Sequence, residues 1–193
     1  RNVSYTYTND NDDDHFTVGP VNFTFRSNEI VFITGGNGSG KTTLAKLITG
    51  LYKIESGEML LNGEVVDQLT LGEYFSNVFS DYHLFDRLYG INHQQKKMEI
   101  KKYLKLLGID HKVSITDGKF STTDLSSGQK KRLALLVSYL EDKPIFLFDE
   151  CAADQDPEFK KYFYHDLLQN LRSTQKCIIA ITHDDHYFHV ADK

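Results

Sequence analysis

The nine residues from Gly35 to Thr43 read GGNGSGKTT and fit the spacing Gly-x-x-x-x-Gly-Lys-Ser/Thr through Gly35, Gly40, Lys41 and Thr42. Such a stretch can cradle phosphate. Without Cβ atoms at Gly36, Gly38 and Gly40, the backbone running through Asn37 and Ser39 can curl until successive N–H groups face one centre. The start of the helix that follows, with Lys41, Thr42 and Thr43 leading into it, adds unpaired donors and a positive dipole end. In this pattern the lysine reaches β- and γ-phosphate oxygens, and the Thr42 hydroxyl is placed to ligate Mg²⁺. A Gly-rich turn that binds nothing is the bland alternative, and the flanking sequence argues against it.

Those flanks are what a phosphate cradle needs. Ile30-Val31-Phe32-Ile33-Thr34 is a short, β-branched apolar run that reads as a buried strand. After the glycines, Leu44, Leu47 and Ile48 recur at helical spacing within Leu44 to Leu51. Two further apolar runs, Pro144 to Phe148 and Cys177 to Ile181, read as buried strands ending in Asp149-Glu150 and in Thr182-His183-Asp184. Helical patterns lie between them: Lys130 to Leu140, with Leu133, Leu136 and Leu140 inward, and Glu158 to Leu171. Alternating apolar strands and helices predict a mostly parallel sheet covered on both faces. Ligands of such sheets sit beyond the carboxyl ends of the strands. Lys41, Asp149, Glu150 and His183 each follow a strand end, so they are expected to converge.

Elsewhere, Val3 to Thr8 alternates like a strand, Phe16 to Phe25 carries more strand signal, and Glu58–Leu61 with Glu64–Val66 reads as a hairpin around Asn62-Gly63. A short strand is expected at Val78-Phe79. From Asp86 to Asp124 the pattern turns helical, with Ile100, Tyr103, Leu104 and Leu107 on one face, surrounding lysines as a solvated face, and Gly108 ending it. Residues 86–140 are expected to form a helical subdomain inserted in one 193-residue domain.

Composition narrows the classes. With 40% hydrophobic and 25% charged residues the chain suits a globular domain, and its net charge of -5 argues against a nucleic-acid-coating protein. No run of about 18 apolar residues occurs. Arg1 to Asp14 is polar and acidic, unlike a secretory leader, and NDNDDD at Asn9 to Asp14 is a solvated acidic loop without calcium-loop spacing. Cys151 and Cys177 have no metal-ligand spacing and are expected to be reduced. A start without Met leads one to expect a piece of a longer chain.

Leu125 to Gln129, LSSGQ, lies between the glycine loop and the strand PIFLFDE. Together these motifs resemble the nucleotide-binding domain of ABC transporters over essentially the whole chain. The usual signature is LSGGQ, with Ser127 here replacing its first Gly. DECAADQDPEF, VFSDYHLFDRL and LSSGQKKRLAL look most like exporters of cyclic peptides and siderophore precursors. The resemblance implies a P-loop NTPase α/β core with an antiparallel β subdomain and a short helical subdomain. Tyr7 stands where an aromatic stacks on adenine, Ala153-Asp154-Gln155-Asp156 in the loop after the catalytic glutamate, and His183 at the switch position. Two departures appear: Ser80, followed by Asp81, stands where the family has Gln, and Cys151 where it has Pro.

That likeness implies an ATPase using ATP and Mg²⁺. Asp149 would hold the metal with Thr42 and Ser80, Glu150 would polarise water, and Lys41 and His183 would stabilise the transferring phosphoryl group. Ser126 and Gly128, with Gln129 completing the motif, would contact the nucleotide held by a second copy, giving a two-fold head-to-tail dimer. The implied partner is a transmembrane domain, the implied location the cytoplasmic face of the inner membrane, and no nucleic acid is expected. Two alternatives stay open: a soluble non-transport ABC ATPase, and an ATP-sensing module without turnover. The bland reading of Asp149-Glu150, an ordinary acidic loop, leaves the preceding apolar strand unexplained.

Overall fold

A computed structural model describes residues 1–8 and 15–193, so the acidic loop at Asn9–Asp14 lies outside the described residues. Strands β1 (Val3–Thr8) and β2 (His15–Val21) pair antiparallel, and β3 (Glu29–Ile33) leads into helix α1 (Lys41–Ile48). The β2 strand stops at Val21, short of the predicted Phe25. The hairpin β4 (Leu60–Leu61) and β5 (Glu64–Val65) turns at Asn62-Gly63. Helix α2 (Gln68–Gly72) is capped by the Asp67 carboxylate, which accepts from the Thr70 amide.

Strand β6 (Phe75–Val78) ends one residue before the predicted Phe79. Helix α3 (Lys97–Leu106) buries Ile100 and Leu104, and Gly108 closes it at φ 65° while Ile109 N–H reaches back to Leu104 O at 3.0 Å. Its helical pattern does not run on to Asp124. A hairpin of β7 (Ile115–Thr116) and β8 (Lys119–Phe120) intervenes, its turn made by Asp117 and Gly118 at positive φ. Helix α4 (Ser127–Glu141) precedes β9 (Ile145–Asp149). Helix α5 (Pro157–Tyr162) passes through one wide turn, Phe163–Leu167, into helix α6 (Leu168–Ser173), so the predicted Glu158–Leu171 helix is continuous in space but not in hydrogen-bond pattern. Strand β10 (Cys177–Ile181) follows.

The main sheet runs β3-β10-β9-β6, with every neighbour pair parallel. Both faces are covered, which is why its strands are apolar without alternation. Phe146, Phe148, Ile178 and Ala180 face a large core under α3 to α6, whereas Leu147, Cys177, Ile179 and Ile181 face a smaller one with Ala45, Leu71 and Phe75. Because all four strands point one way, residues just past Ile33, Ile181, Asp149 and Val78 share one edge. At about 4.8 Å per strand that edge spans roughly 14 Å. It is the α/β phosphate-loop architecture with antiparallel β additions that the motifs imply.

Candidate functional site

The loop from β3 to α1 closes tightly. Gly40 sits at φ 86°, and a Cβ there would lie 2.7 Å from the Phe16 ring, so both backbone and space demand glycine. Gly35 (φ 148°) and Gly38 (φ 76°) also use glycine-favoured angles. Gly36 does not: it lies outside the positive-φ region and a Cβ there meets nothing within 4 Å, so its expected conformational role falls away. Lys41 is 9% exposed, and its ammonium crosses the loop to donate to Gly35 O at 3.1 Å and Gly36 O at 2.9 Å. One cation thus stands at the centre of the curl.

Above it, Tyr7 and Phe16 face each other across the β1–β2 ladder and are 44% and 41% exposed. Together with Asn37 to Thr43 and Glu150 they line a cavity of about 320 Å³. The β1–β2 ladder thus brings Tyr7 to the glycine-loop cavity. Phe16 was missed, and its only signal was the cross-strand register, which a single strand pattern does not carry.

Asp149 closes β9 at 1% exposure. Its Oδ2 accepts from the Thr42 hydroxyl at 3.1 Å and from the Ser80 hydroxyl at 3.1 Å, whereas buried Oδ1 has no hydrogen-bond partner. An orphaned carboxylate oxygen beside two hydroxyl oxygens is a hard donor set, and it fits Mg²⁺. Among the described residues no group of three His, Cys, Asp or Glu that could hold a metal is found. Ser80 lies two residues past the β6 end and turns toward Asp149; Asp81 turns away to Lys46, its carboxylate 2.9 Å from the ammonium. The Lys46 hydrogen bond holds the Asp81 carboxyl below its ordinary range and pushes the Lys46 ammonium above its own.

Glu150 follows at φ 53°, a left-handed conformation that a side chain adopts at a cost of about 1–2 kcal/mol. Its amide donates to Ile181 O at 3.1 Å, and its Oε1 lies 3.3 Å from His183 Nε2. The β10 end is braced from below. Tyr164, in the wide turn, shares a 2.6 Å hydrogen bond with Thr182 Oγ1 and donates to Asp184 Oδ2 at 2.9 Å; Lys160 pairs with Asp184 Oδ1 at 2.6 Å. Sequence reasoning did not find Tyr164 or Lys160, since no local spacing links a helix interior to a strand end. Cys151 is buried, its Sγ donating to Val78 O at 3.6 Å, and burial pushes its thiol well above the ordinary range, so it packs as a small hydrophobe.

The structure does not bring Ser126, Gly128 and Gln129 to this cavity. They line a second one of about 410 Å³ with Gly108, His111, Arg132 and the loop Asp154 to Asp156. Ser126 caps α4 in a reciprocal box: its hydroxyl accepts from the Gln129 amide at 3.3 Å, and its amide donates to Gln129 Oε1 at 3.2 Å. Gln155 donates to Gly128 O at 3.0 Å and accepts from Arg132 Nε at 2.9 Å. Arg132 also pairs with Asp156 and covers the Phe159 ring at 4.1 Å. His111 had no motif to announce it.

Residues 18–153 match the family model described as ABC transporter. ATP-binding protein SyrD of Pseudomonas syringae pv. syringae is 48% identical over 199 residues, covering 100% of this chain and 35% of SyrD. Subtilin transport ATP-binding protein SpaT of Bacillus subtilis is 29% identical over 182 residues, covering 83% of this chain and 29% of SpaT. The chain thus spans about a third of the length of these curated relatives. In fold it is similar to the dimeric, ADP- and Pi-bound structure of the ATP-binding cassette MJ0796, with a TM-score of 0.81 at 20% identity over 100% of this chain and 90% of that one.

Proposed function

The chain belongs to the ABC transporter family, and from that premise we propose that it is the ATP-hydrolysing engine of a membrane exporter, working as a head-to-tail pair with ATP between two copies. The observation that carries the reading is the row of groups at the carboxyl edge of one parallel sheet: Lys41 beyond β3, His183 beyond β10, Asp149 and Glu150 at β9, Ser80 beyond β6. Backbone N–H groups of the glycine loop and the Lys41 ammonium bind the β- and γ-phosphates, and Tyr7 stacks on adenine. Asp149, Thr42 and Ser80 would hold Mg²⁺, which would neutralise negative charge on the β- and γ-phosphates. Glu150 accepts the proton of the water that attacks the γ-phosphorus while the bond to the β–γ bridging oxygen breaks. His183, held 3.3 Å from that carboxylate, orients the water and donates to a γ-phosphate oxygen.

The second cavity takes its role from the same reading. Ser126 and Gly128 sit at the N-terminal end of the 15-residue α4, whose free N–H groups and dipole favour a γ-phosphate presented by the other copy. Among the described residues no helix is long and apolar enough to cross a membrane. Family membership supports a transmembrane domain, of the same or a partner chain, as the partner, with this chain at the cytoplasmic face of the inner membrane. SpaT is named for subtilin transport, and the motif likeness to cyclic-peptide exporters favours export with a peptide cargo. The test is phosphate release from ATP, with and without Mg²⁺, alongside sedimentation. Mg²⁺-dependent release with ATP-promoted dimerisation is expected; ATP binding without release would return the sensing-module alternative.

A further inference from the structure

We propose that Lys131 is a positioning residue that locks the Glu150 carboxylate in its working place; the inference rests on the ATPase reading above. Lys131 lies on α4, is 7% exposed, and aims its ammonium across to β9's end rather than into solvent. Nζ donates to Glu150 O at 3.0 Å and to Asp154 Oδ2 at 3.1 Å. Among the described residues it is the one side-chain donor to the Glu150 backbone.

That carbonyl belongs to the residue with the left-handed φ of 53°. Such a conformation persists only where the surroundings over-determine it. The Glu150 amide is tied to Ile181 O at 3.1 Å, and the carbonyl also accepts from the Ala153 amide at 3.2 Å. The amide bond ties Glu150 to the strand carrying His183; the Lys131 bond ties its other side to α4. Relaxation of Glu150 from its left-handed φ would re-aim the side chain away from His183, and Lys131, by holding the carbonyl, resists that relaxation.

A purely structural account is weaker. Burying an ammonium costs several kcal/mol of desolvation before any return. The loop it touches already has its own anchors in Arg132 to Gln155 and Asp156, and Gln155 to Gly128 O. An apolar residue of the same length would hold α4 against β9 without that cost. The choice of a cation there is explained by what it holds.

The test uses Lys131→Met, which keeps the packed stem and removes the donor, and Lys131→Arg, which keeps charge and donors. In the Met variant kcat is expected to fall by about tenfold or more, since small misplacements of a reacting group carry large rate costs. The directly titrated Kd for ATP should stay within about threefold, and the thermal midpoint should hold or rise. Lys131→Arg should recover part of the lost kcat. Deuterium exchange of the segment from Glu150 to Asp154 should quicken in Lys131→Met and less in Lys131→Arg. Unchanged kcat, or parallel loss of kcat, ATP affinity and thermal midpoint, would overturn the proposal. If Lys131→Met does not fold, Lys131→Gln replaces it under the same criteria. Parent protein that binds ATP without turnover would sink the ATPase reading alone; exchange still reads the clamp, and exchange unaltered by the Met change overturns it.

Discussion

The cavity around Lys41 and the cavity beside Ser126 differ in what holds their polar groups. In the first, long-range partners do it: Asp149 is fixed by Thr42 at the start of α1 and by Ser80 beyond β6, and Glu150 by Ile181. Lys41 and Asp149 are buried, Glu150 is strained, and one Asp149 carboxylate oxygen is left without a partner. In the second, the LSSGQ residues satisfy each other through a capping box within one helical turn. Arg132 and Gln155 then staple that turn to the loop after Glu150. The first cavity is therefore an arrangement of polar groups maintained by the whole sheet. The second is a self-sufficient helix end offered outward. This is the division expected if chemistry happens in one copy and closure is supplied by another.

Chemistry and closure separate most sharply at Glu150. Glu150→Gln keeps shape and loses the base, so steady-state phosphate release should drop by about 10²–10⁴-fold with ATP binding intact. The same variant with ATP and Mg²⁺ should elute as a dimer, because nothing in the second cavity has changed. Near-wild-type release would remove Glu150 from the proposed role.

Within the first cavity, Lys41→Ala deletes the central cation and should weaken ATP binding at least tenfold, about 1.4 kcal/mol or more, by nucleotide titration. Its effect should appear in Kd, where the Glu150 effect appears in kcat. Unchanged affinity would contradict the phosphate-loop assignment.

A mixing experiment tests whether the two cavities meet across copies. Lys41→Ala chains and Ser126→Arg chains should each be poorly active alone, the latter because a bulky cation blocks the helix end. Mixed, they form pairs with one intact composite site, and partial ATPase recovery is expected. Wild-type turnover by Ser126→Arg alone would show that the second cavity plays no part in hydrolysis.

The two cavities also differed in how far local sequence exposed them. GGNGSGKTT, FDE and LSSGQ are contiguous, and their geometry is set by a turn or a helix start, so Lys41, Thr42, Asp149 and Ser126 were legible. The parallel sheet was legible too, because strands covered on both faces lose polar alternation. What escaped depends on contacts between distant segments. Phe16 reaches the cavity through its register with Tyr7, Lys131 through helix-to-strand packing, and Tyr164 through a wide turn that FYHDL does not announce. The β7–β8 hairpin was masked by apolar spacing that continues the α3 pattern, and Gly36 by its place inside a motif whose other glycines do need their angles.

The smallest expected effects lie at the β6 end, where two neighbouring oxygen donors part company. Ser80 faces Asp149 Oδ2 at 3.1 Å, and Asp81 spends its carboxylate on Lys46, with 64% of its side chain exposed. Both carry oxygens that a hard cation could use, but a third carboxylate next to Asp149 and Glu150 would add repulsion around a polyanionic nucleotide. Ser80→Ala should therefore lower Mg²⁺-dependent turnover about several-fold, a hydroxyl being a weak ligand that water can replace at modest entropic cost. Ser80→Gln should retain or raise turnover, since its amide oxygen reaches further into the same space. Asp81→Asn should leave the rate nearly unchanged, because an exposed ion pair contributes at most about 1 kcal/mol to stability. The pair has a pH signature as well. The Asp81 carboxyl is held low in the folded chain, so its small contribution is present above the unfolded carboxylate range and fades as pH falls through the folded value. A Mg²⁺ titration of all three variants decides the point: abolished turnover in Asp81→Asn with a silent Ser80→Ala would make Asp81, not Ser80, the group on the metal side.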